Sequence, residues 1–473
     1  INGKMNRRFD TTLLINGLPI IQIEEKRDTH DVNEALNQMH QYIDEGQYGD
    51  IFSALQILIA MTPNNVKYMA NTTSEKFNKD FAFHWQRRSD NGIVRDWKEF
   101  ADSMLSIPMA HQMATNYMIL DGTPNKQTLK VMRPYQVYAT QEVIEGIKKV
   151  DFDFGNNKVG YIWHTTGSGK TITSFKTAWL SSRMLKVDKV VFVVDRIQLT
   201  KQTNENYRAY DPDATDQFDG IVQDTNNTTD LSRKLKSKSN GIIVTSVQKL
   251  DSLIKRKSFK TPEKNIVFID EAHRSTGGES FENIQKAFKH AAWVGYTGTP
   301  MFDETTKGLR TEDIFGPLLH AYTIREAIAD RNVLGFKVDF ETTIPEDEMK
   351  QKYLPEFYKE KYPKWSEEKI QDKINNLTME DMDDAIEPSF YDENLDHIKL
   401  VVKDIYDKWQ NRSNDGRYNA LLTTHVGGGK ASTPMAMMYF DEFQRVNRER
   451  EEQGLFTLKV AVTFSANNTN NDS

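Results

Sequence analysis

The sequence predicts an α/β fold: an α+β domain over residues 1–120, a parallel α/β domain over residues 121–335, and a charged linker with the start of a second parallel α/β domain over residues 336–473. An Asn-Gly pair between two apolar runs predicts an N-terminal β-hairpin. Farther along, wholly apolar runs alternate with helical patterns, which is typical of parallel strands buried on both faces. A chain of 473 residues is long enough for these domains.

The composition is that of an ordinary globular protein. Lys and Arg number 61 against 68 Asp and Glu, a net charge of −7, with 38% hydrophobic and 27% charged residues. This balance excludes collagen, coiled coils and a strongly basic DNA coat, although a local basic channel could still bind DNA. Cysteine is absent, which excludes disulfides, thiolate zinc sites and cysteine nucleophiles. Without a long apolar run or a leader sequence, we expect no membrane association and a cytoplasmic location.

The first domain is expected to begin with the hairpin and to continue as mixed helix and strand. Apolar positions at helical spacing follow the hairpin, and strand-like runs come after them. The predicted strands are residues 9–15, 19–24, 54–61 and 66–70, and the predicted helices are residues 32–43 and 97–120, the latter interrupted by Pro108.

Two carboxylates and a lysine in this domain form a first candidate site. The period of a strand places Glu24 and Lys26 on one face, where a carboxylate can bind a metal and an ammonium can help activate the attacking water. Asp10 supplies a second carboxylate only if it lies opposite Glu24, so we expect a longer turn or a β-bulge in the hairpin. On the next helix, Gln38 and Tyr42 are i, i+4 neighbours that could reach the same cleft.

The later part of the chain reads as two parallel α/β domains separated by a charged segment. Residues 345–394 are charge-dense and are predicted to be a solvated helical insertion or linker. The predicted strands are residues 161–163, 190–194, 242–245, 266–269 and 292–296, followed in the second domain by strands at 420–424 and 456–464 and helices at 395–409 and 434–448.

A second candidate site follows the strand at residues 161–163 and opens a helix, which is the context of a phosphate-binding loop. Its glycines let backbone N–H groups converge on a phosphate at a helix N-terminus. Lys170 can neutralise the β- and γ-phosphate oxygens of ATP, and the Thr171 hydroxyl can bind Mg²⁺. The residues of this loop are Thr166, Gly167, Ser168, Gly169, Lys170 and Thr171.

Further residues are predicted to complete the ATP site. Asp270 and Glu271 follow a buried strand, so Asp270 can hold Mg²⁺ through water and Glu271 can activate the water that attacks the γ-phosphate. We expect Asp270 and the phosphate loop to lie at neighbouring strand tips. Upstream, the Gln136 amide could read the adenine edge, Tyr135 could stack on the base, and Arg133 belongs to the same segment.

The order of these motifs resembles the motor core of superfamily two helicases and translocases. The resemblance implies two RecA-like domains that clamp ATP while DNA lies across both, and it implies that Asp195-Arg196 and Thr245-Ser246 contact the DNA backbone. The motifs are Arg133-x-Tyr135-Gln136, residues 167–171, Asp195-Arg196, Thr245-Ser246-x-Gln248, residues 270–273 and Thr297-Gly298-Thr299-Pro300.

With the N-terminal motifs added, the sequence is similar to the restriction (motor) subunit of type I restriction-modification enzymes. Those motifs are Asp10, Glu24-x-Lys26 and Gln38-x-x-x-Tyr42. The resemblance implies a PD-(D/E)xK nuclease fold before RecA-like motor domains, the second incomplete. It implies ATP and Mg²⁺ as cofactors, double-stranded DNA as substrate, and separate modification (methyltransferase) and specificity subunits as partners. Cleavage roles then fall to Asp10, Glu24 and Lys26, with Gln38 and Tyr42 as accessory residues.

Two other functions fit the same residues. One is a repair or remodelling helicase with a vestigial nuclease, and the other is a DNA-docking scaffold that ATP only locks. The chain begins at Ile1 and ends in a small, polar run, so we expect it to be a piece of a longer polypeptide. Residues 427–430 are glycine-rich, but Ala431 follows them in place of a Ser or Thr ligand, which predicts a flexible loop and no second phosphate site.

Overall fold

A computed structural model of the protein describes residues 6–123, 127–154, 157–194, 197–215, 218–256, 265–269, 279–302, 310–339, 341, 343, 346–378, 382, 394–424 and 432–463. The chain forms two compact units, Ile1–Gly335 and Phe336–Ser473. The predicted boundary at residue 120 lies inside the first unit and stays a prediction. None of the described helices has the length and apolar character that crossing a bilayer needs.

The chain opens with the predicted hairpin, made of β1 (Thr11–Ile15) and β2 (Leu18–Glu25). Asn16 and Gly17 join the strands, and both have positive φ angles, 52° and 83°. A two-residue type I′ turn requires positive φ at both positions, and asparagine and glycine tolerate it best. The local sequence therefore specifies this turn.

The hairpin also contains the predicted bulge. The pairing of the two strands shifts by one residue within β1, so one residue of β2 has no partner in the ladder. Beyond the shift Thr11 lies opposite Ile23. Continuing this register by one residue places Asp10 opposite Glu24, so the bulge aligns the two carboxylates that the sequence predicts to face each other.

The hairpin belongs to a four-stranded sheet in the order β1-β2-β3-β4. β3 (Ile57–Thr62) pairs parallel with β2, and β4 (Asn65–Ala70) pairs antiparallel with β3. Helix α1 (Val32–Asp44) connects β2 to β3 and begins at Asp31, whose carboxylate accepts a hydrogen bond from the Asn33 backbone N–H at 2.7 Å. The apolar stripe of α1 packs on β3 and β4.

Two predicted elements of this region are wrong at one end. The strand expected from residue 54 begins at Ile57, and the helix expected over residues 97–120 ends before residue 118. Residues 118–121 instead pair with a later strand, and periodicity alone does not separate a short buried strand from a helical turn. The elements are 3-10 helices Asp50–Ala54, Ser74–Lys76 and Lys79–Phe81, helix α2 (Trp97–Phe100), a π-helical turn Ala101–Leu105, helix α3 (Met109–Thr115), and strands β5 (Met118–Asp121) and β6 (Thr128–Val131).

The centre of the first unit is a seven-stranded sheet. Its described strands are β7 (Asn157–His164), β8 (Lys189–Val194), β11 (Val222–Gln223), β12 (Ile242–Ser246), β13 (Asn265–Ile269), β14 (Ala291–Thr297) and β15 (Leu318–Tyr322), beside a small hairpin of β9 (Ala214–Thr215) and β10 (Phe218–Asp219). All seven pair in parallel, in the order β11-β12-β8-β13-β14-β7-β15. The predicted parallel α/β fold is confirmed.

Helices cover both faces of this sheet. Val190 and Phe192 of β8 face one apolar cluster, and Val191 and Val193 face the other. Burial of each such side chain contributes about 1.5–3 kcal/mol to the stability of the fold. Because both faces of these strands are buried, apolar residues are favoured at every position and the strands lack polar alternation. The helices of this region are α4 (Pro134–Lys149), α5 (Lys170–Ser182), α6 (Ile197–Tyr210), α7 (Thr228–Lys236), α8 (Val247–Ile254), α9 (Glu279–Ala287), α10 (Thr311–Phe315) and α11 (Ile324–Ala329), with a 3-10 turn at Phe152–Phe154.

The strand order corrects one expectation about the ATP site. β13, which precedes Asp270, is not the neighbour of β7, which precedes the phosphate loop, because β14 lies between them. The expectation of neighbouring strand tips is therefore wrong. Order along the chain does not specify lateral order in a sheet whose strands are joined by crossover helices.

The second unit is helical over its described residues. Helices α12 (Glu346–Glu348), α13 (Leu354–Lys361), α14 (Glu367–Asn375), α15 (Leu395–Arg412) and α16 (Ser432–Glu452) form it, with a π-helical turn at Met349–Tyr353. Tyr406 of α15 packs near Tyr439 and Phe443 of α16. The strands predicted at 420–424 and 456–464 are wrong over their described residues, since a strand needs a paired neighbour for its backbone N–H and C=O groups.

Candidate functional site

The N-terminal sheet brings together the first predicted cluster. Glu24 of β2 is fully buried, and the Lys26 ammonium donates to its Oε1 at 3.1 Å. The Lys26 backbone N–H donates to the Met61 carbonyl at 2.8 Å, which extends the β2–β3 pairing and fixes the direction of the lysine. Asp10 Oδ2 accepts from the Glu25 backbone N–H at 2.9 Å across the hairpin.

Glu24 has a raised pKa because its carboxylate is buried. Burial raises the pKa of Glu24 to about 7, Lys26 opposes the rise, and the charge of Asp10 adds to it. Oε2 of Glu24 is buried and has no hydrogen-bond partner. A buried carboxylate oxygen without a partner is costly, and a bound cation removes that cost.

The donor set of the cluster fits Mg²⁺. Asp10 and Glu24 would hold the ion, and the lone pairs of Glu24 Oε2, which accept no hydrogen bond, are available to it. Within the described residues, no group of three or more His, Asp or Glu side chains is arranged to bind a metal. Two carboxylates suit Mg²⁺, which keeps several waters and uses substrate phosphate oxygens as further ligands.

Helix α1 contributes its predicted polar pair to the same region. The Gln38 amide donates to the Tyr42 hydroxyl, which donates to the Arg8 carbonyl at 3.4 Å. Burial raises the pKa of Tyr42, and the nearby Glu24 and Asp10 raise it further. Tyr42 therefore lies near the two carboxylates, and Gln38 is joined to it by this hydrogen bond.

Sequence reasoning missed the charged pair at the edge of this cluster. The Arg7 guanidinium donates from Nε to Glu45 at 2.7 Å and makes a second bond from Nη2. Arg7, Gln38 and Tyr42 line an open groove of about 470 Å³ along α1. Arg7 and Glu45 are far apart in sequence, so no local pattern signals their pairing.

The pKa of Glu24 predicts a pH dependence of stability. The usual value of 4.5 rises to about 7 on folding, so the folded state binds more protons between these values and loses stability as the pH rises through them. Without metal, we expect the free energy of unfolding to fall from pH 5 to pH 8 by on the order of 1–2 kcal/mol more in the wild type than in Glu24→Gln. Chemical denaturation in EDTA at each pH measures this free energy of unfolding. Glu25→Gln is the control, because Glu25 is exposed. Equal falls in all three proteins would contradict the prediction.

The phosphate loop has the predicted shape. Gly167 and Gly169 have φ angles of 84° and 82°, and Gly169 caps the N-terminus of α5. A Cβ at Gly169 would lie 2.6 Å from Nε2 of Gln136. Glycine at this position therefore satisfies both the left-handed backbone and the close approach of a side chain.

The charged and hydroxyl residues of the loop lie at the start of α5. Lys170 is its first residue, and its ammonium is near the turn at Gly298, since a Cβ built on Gly298 would lie 3.3 Å from Nζ. Thr171 is half-buried and Thr166 is exposed. A helix N-terminus with an adjacent lysine attracts phosphate, so this arrangement can bind the phosphates of a nucleotide.

The side chains of Tyr135 and Gln136, at the start of α4, point into the protein. The Gln136 Oε1 accepts from the Arg133 backbone N–H at 2.9 Å, and its Nε2 donates to the Ser168 carbonyl at 3.1 Å. The Tyr135 ring is 1% exposed and stacks on Tyr322 at 3.6 Å, so its predicted stacking on adenine is wrong in this arrangement. Adenine contacts of Arg133 and Gln136 stay predictions.

The turn after β14 is attached to the strand before the phosphate loop. The Trp163 indole N–H donates to the Gly298 carbonyl at 3.1 Å, and Thr297 Oγ1 accepts from the Thr299 backbone N–H at 3.1 Å. The two predicted motifs therefore meet at the carboxyl edge of the sheet.

Some of the residues predicted for the ATP and DNA sites lie outside the described part of the chain, and two others are buried. Asp270, Glu271 and residues 272–273, Asp195-Arg196, and the 427–431 loop lie outside the described residues. Thr245 and Ser246 are fully buried, and Ser246 Oγ accepts from the Lys249 backbone N–H at 3.3 Å as a helix cap. The structure does not support a contact of these two side chains with DNA.

A histidine pair borders the loop. His164 Nε2 and His320 Nδ1 lie 3.1 Å apart, and both rings are buried. Burial lowers the pKa of both, to about 4 for His320. Both rings are therefore neutral near pH 7, and they form a packed polar contact between β7 and β15.

Two family models match the sequence. Residues 135–371 match the SWI2/SNF2 ATPase model, and residues 1–77 match the model of the type I restriction enzyme R protein N terminus. The first match contains the phosphate loop, and the second contains the cluster of Asp10, Glu24 and Lys26 with Gln38 and Tyr42.

Curated relatives agree with both matches. A type I restriction enzyme endonuclease subunit from Staphylococcus saprophyticus is 35% identical over 98% of this chain, which covers 45% of that protein. One from Staphylococcus aureus (strain COL) is 35% identical over 96% of this chain and 44% of its own length. The C-terminal part of such a subunit from Mycoplasma pneumoniae is 44% identical over 42% of this chain, which covers 98% of that sequence. The chain thus spans about half the length of the staphylococcal relatives.

Among solved structures, a nuclease-deletion mutant of the Type ISP restriction-modification enzyme LlaGI, in complex with a DNA substrate mimic, aligns with 69% of this chain and 40% of its own. The identity is 15% and the TM-score is 0.33. A likeness at that level carries no argument about function.

Proposed function

Because this chain belongs to the endonuclease (R protein) subunit family of type I restriction enzymes, as the sequence resemblance indicated, we propose that it uses ATP hydrolysis to move double-stranded DNA and cuts unmodified DNA at a Mg²⁺-dependent site. One observation carries the proposal: a single compact unit contains both a phosphate loop and a buried Glu24 beside Lys26 and Asp10.

In the proposed motor, the phosphate loop and the N-terminus of α5 hold the phosphates of ATP. Lys170 neutralises charge that builds on the β- and γ-phosphates, and Thr171 and Asp270 would hold Mg²⁺. Glu271 orients and activates the attacking water. Gln136, together with Arg133, serves the adenine end of the site.

In the proposed nuclease, Asp10 and Glu24 would hold Mg²⁺, which supplies Lewis-acid stabilisation of the phosphodiester when bound. Lys26 positions the attacking water and stabilises the ionised form of Glu24. The hydrogen-bonded pair of Gln38 and Tyr42 orients the DNA backbone beside the carboxylates. The support is that these side chains lie close together: Asp10 directly precedes β1, Glu24 is in β2, Lys26 directly follows β2, and Gln38 and Tyr42 are on α1.

The proposed partners follow from the family. Recognition of the DNA sequence and its methylation belong to separate specificity and modification (methyltransferase) subunits, and the assembly works in the cytoplasm.

The test uses the full-length protein with its partner subunits, ATP, Mg²⁺ and circular plasmid DNA, either unmodified or methylated at the recognition site. We expect ATP turnover that depends on the unmodified plasmid, together with double-strand cleavage of that plasmid only. Turnover without cleavage would favour a helicase with a vestigial nuclease. Nucleotide binding without turnover would favour a docking scaffold.

A further inference from the structure

A continuous line of hydrogen bonds leaves the phosphate loop and ends in the N-terminal α+β region. It begins at the Ser168 carbonyl, which accepts from the Tyr135 hydroxyl at 2.7 Å. The Asn332 amide donates to the hydroxyls of Tyr135 at 2.8 Å and Tyr322 at 3.3 Å. The first half of the line therefore joins the loop to the segment that follows β15.

The second half of the line runs through one carboxylate. Asp330 Oδ2 accepts from the Tyr322 hydroxyl at 2.7 Å and from Nε2 of Gln86 at 2.7 Å. Gln86 lies in residues 83–94, a hairpin-like stretch in which Gln86 pairs with Ile93. Gln86 of the N-terminal region and Tyr322, which leads to the phosphate loop, thus donate to the same oxygen of Asp330.

The chemistry of the groups fixes the direction of the line. An ionised Asp330 only accepts, so Tyr322 must donate its single proton to it and can accept from Asn332 only through a lone pair. Tyr135 likewise accepts from Asn332 and donates its proton to the Ser168 carbonyl. Each hydroxyl thus donates one bond and accepts one, and the Ser168 carbonyl accepts a second bond from Nε2 of Gln136 at 3.1 Å.

Three members of the line are buried and packed, whereas Asp330 and Asn332 are half-buried. Gln86, Tyr135 and Tyr322 are 4%, 1% and 0% exposed. The rings of Tyr135 and Tyr322 are nearly parallel, with an interplanar angle of 7°. Solvent therefore does not replace a hydrogen bond lost at the buried Tyr135 and Tyr322 hydroxyls, and the loss affects the next group in the line.

Residues 83–94 are attached to the α/β sheet region at other points. The Tyr138 hydroxyl donates to the Gln86 carbonyl at 2.7 Å, and the Asn91 amide donates to the Ala321 carbonyl at 3.0 Å. The Arg133 guanidinium lies 4.7 Å from the Phe83 ring centroid. The stretch is therefore seated on the two elements, α4 and β15, that lead to Tyr135 and Tyr322.

We propose that Tyr322, Asp330 and Asn332 are positioning residues that hold the phosphate loop in its nucleotide-binding shape and make that shape depend on the seating of residues 83–94 through Gln86. The proposal rests on the proposed function, since it assumes that the loop binds ATP. Coupling of this kind is reciprocal, so a bound nucleotide tightens the seating of residues 83–94 to the same degree.

The test measures the affinity of the 473-residue chain for ADP with Mg²⁺ by calorimetry. Gln86→Leu removes the amide at the far end of the line, and Tyr322→Phe removes one hydroxyl and keeps the stacked ring. We expect each variant to bind ADP about fivefold more weakly or worse, and the double variant to bind no more weakly than the single ones, because both break the same line.

Tyr207→Phe is the matched control. Tyr207 is fully buried, and its hydroxyl donates to Ser174 of α5 at 2.7 Å, outside the line. We expect its ADP affinity to stay within about twofold of the wild type. Thermal unfolding of all four variants identifies any that fail to fold.

Hydrogen exchange supplies a readout that a purely structural role would not change. We expect ADP to slow amide exchange in residues 83–94 of the wild type and not in Tyr322→Phe. If the wild type binds ADP but Gln86→Leu and Tyr322→Phe match the control in affinity, the coupling is wrong. If the wild type binds no ADP at millimolar concentration, the proposed function fails first.

Discussion

Replacing Lys170 with alanine is expected to lower ATP turnover by the assembled enzyme at least about 100-fold. The ammonium begins α5 directly after the left-handed Gly169, beside the turn at Gly298. In the proposed site it faces the charge that grows on the phosphates during hydrolysis, and the backbone N–H groups that remain carry only partial charge. DNA cleavage that depends on transport should be lost with it.

Phosphate release with unmodified duplex DNA at saturating ATP measures this effect. Lys148→Ala is a suitable control, since Lys148 is exposed on α4 and pairs only locally, with Glu145 at 2.6 Å. Its turnover should equal that of the wild type. If Lys170→Ala retained more than a tenth of the wild-type rate, the loop would not be the phosphate site.

The second large effect is expected from Lys26→Ala, which should lower cleavage at least about 100-fold while ATP turnover stays within about twofold. Lys26 is the cation nearest the buried carboxylate, 3.1 Å from Glu24 Oε1, and it lowers the pKa of Glu24. Without it that pKa rises further, so at neutral pH less of Glu24 is ionised to hold a metal.

Plasmid linearisation and phosphate release in the same reaction separate the two activities. Glu25→Gln is the neighbouring control: Glu25 is exposed, and its Oε1 accepts from the Thr11 hydroxyl at 2.8 Å on the opposite face of the strand. Cleavage by Glu25→Gln should be normal. Undiminished cleavage by Lys26→Ala would place the nuclease site elsewhere in the protein. This cluster would then be a vestigial nuclease site.

Much of the nuclease cluster could be predicted because its signals are local. Asn16-Gly17 specifies the turn, and period two places Glu24 with Lys26. The sequence also required either a longer turn or a bulge for Asp10 to face Glu24, and the structure has the bulge. The phosphate loop was equally visible, since glycines, a lysine and a threonine follow a buried strand.

The line from Gln86 to Ser168 could not be predicted. Gln86, Asp330 and Asn332 stand in segments without a recognisable motif, and each is an ordinary polar residue on its own. Tyr135 was interpreted as a base-stacking residue, but the structure buries it against Tyr322. Such groups acquire a role only from the partners that folding brings to them.

By itself the sequence predicted most of the elements and the two motif sites, because turn chemistry, periodicity and a strand-loop-helix pattern act over a few neighbouring residues. Only the tertiary structure decided that β14 separates β13 from β7, that Glu24 is buried deeply enough to raise its pKa, and that Gln86 shares Asp330 with Tyr322. The physical reason is that lateral strand order, desolvation and buried hydrogen bonds depend on residues far apart in the chain, whose meeting no local pattern encodes.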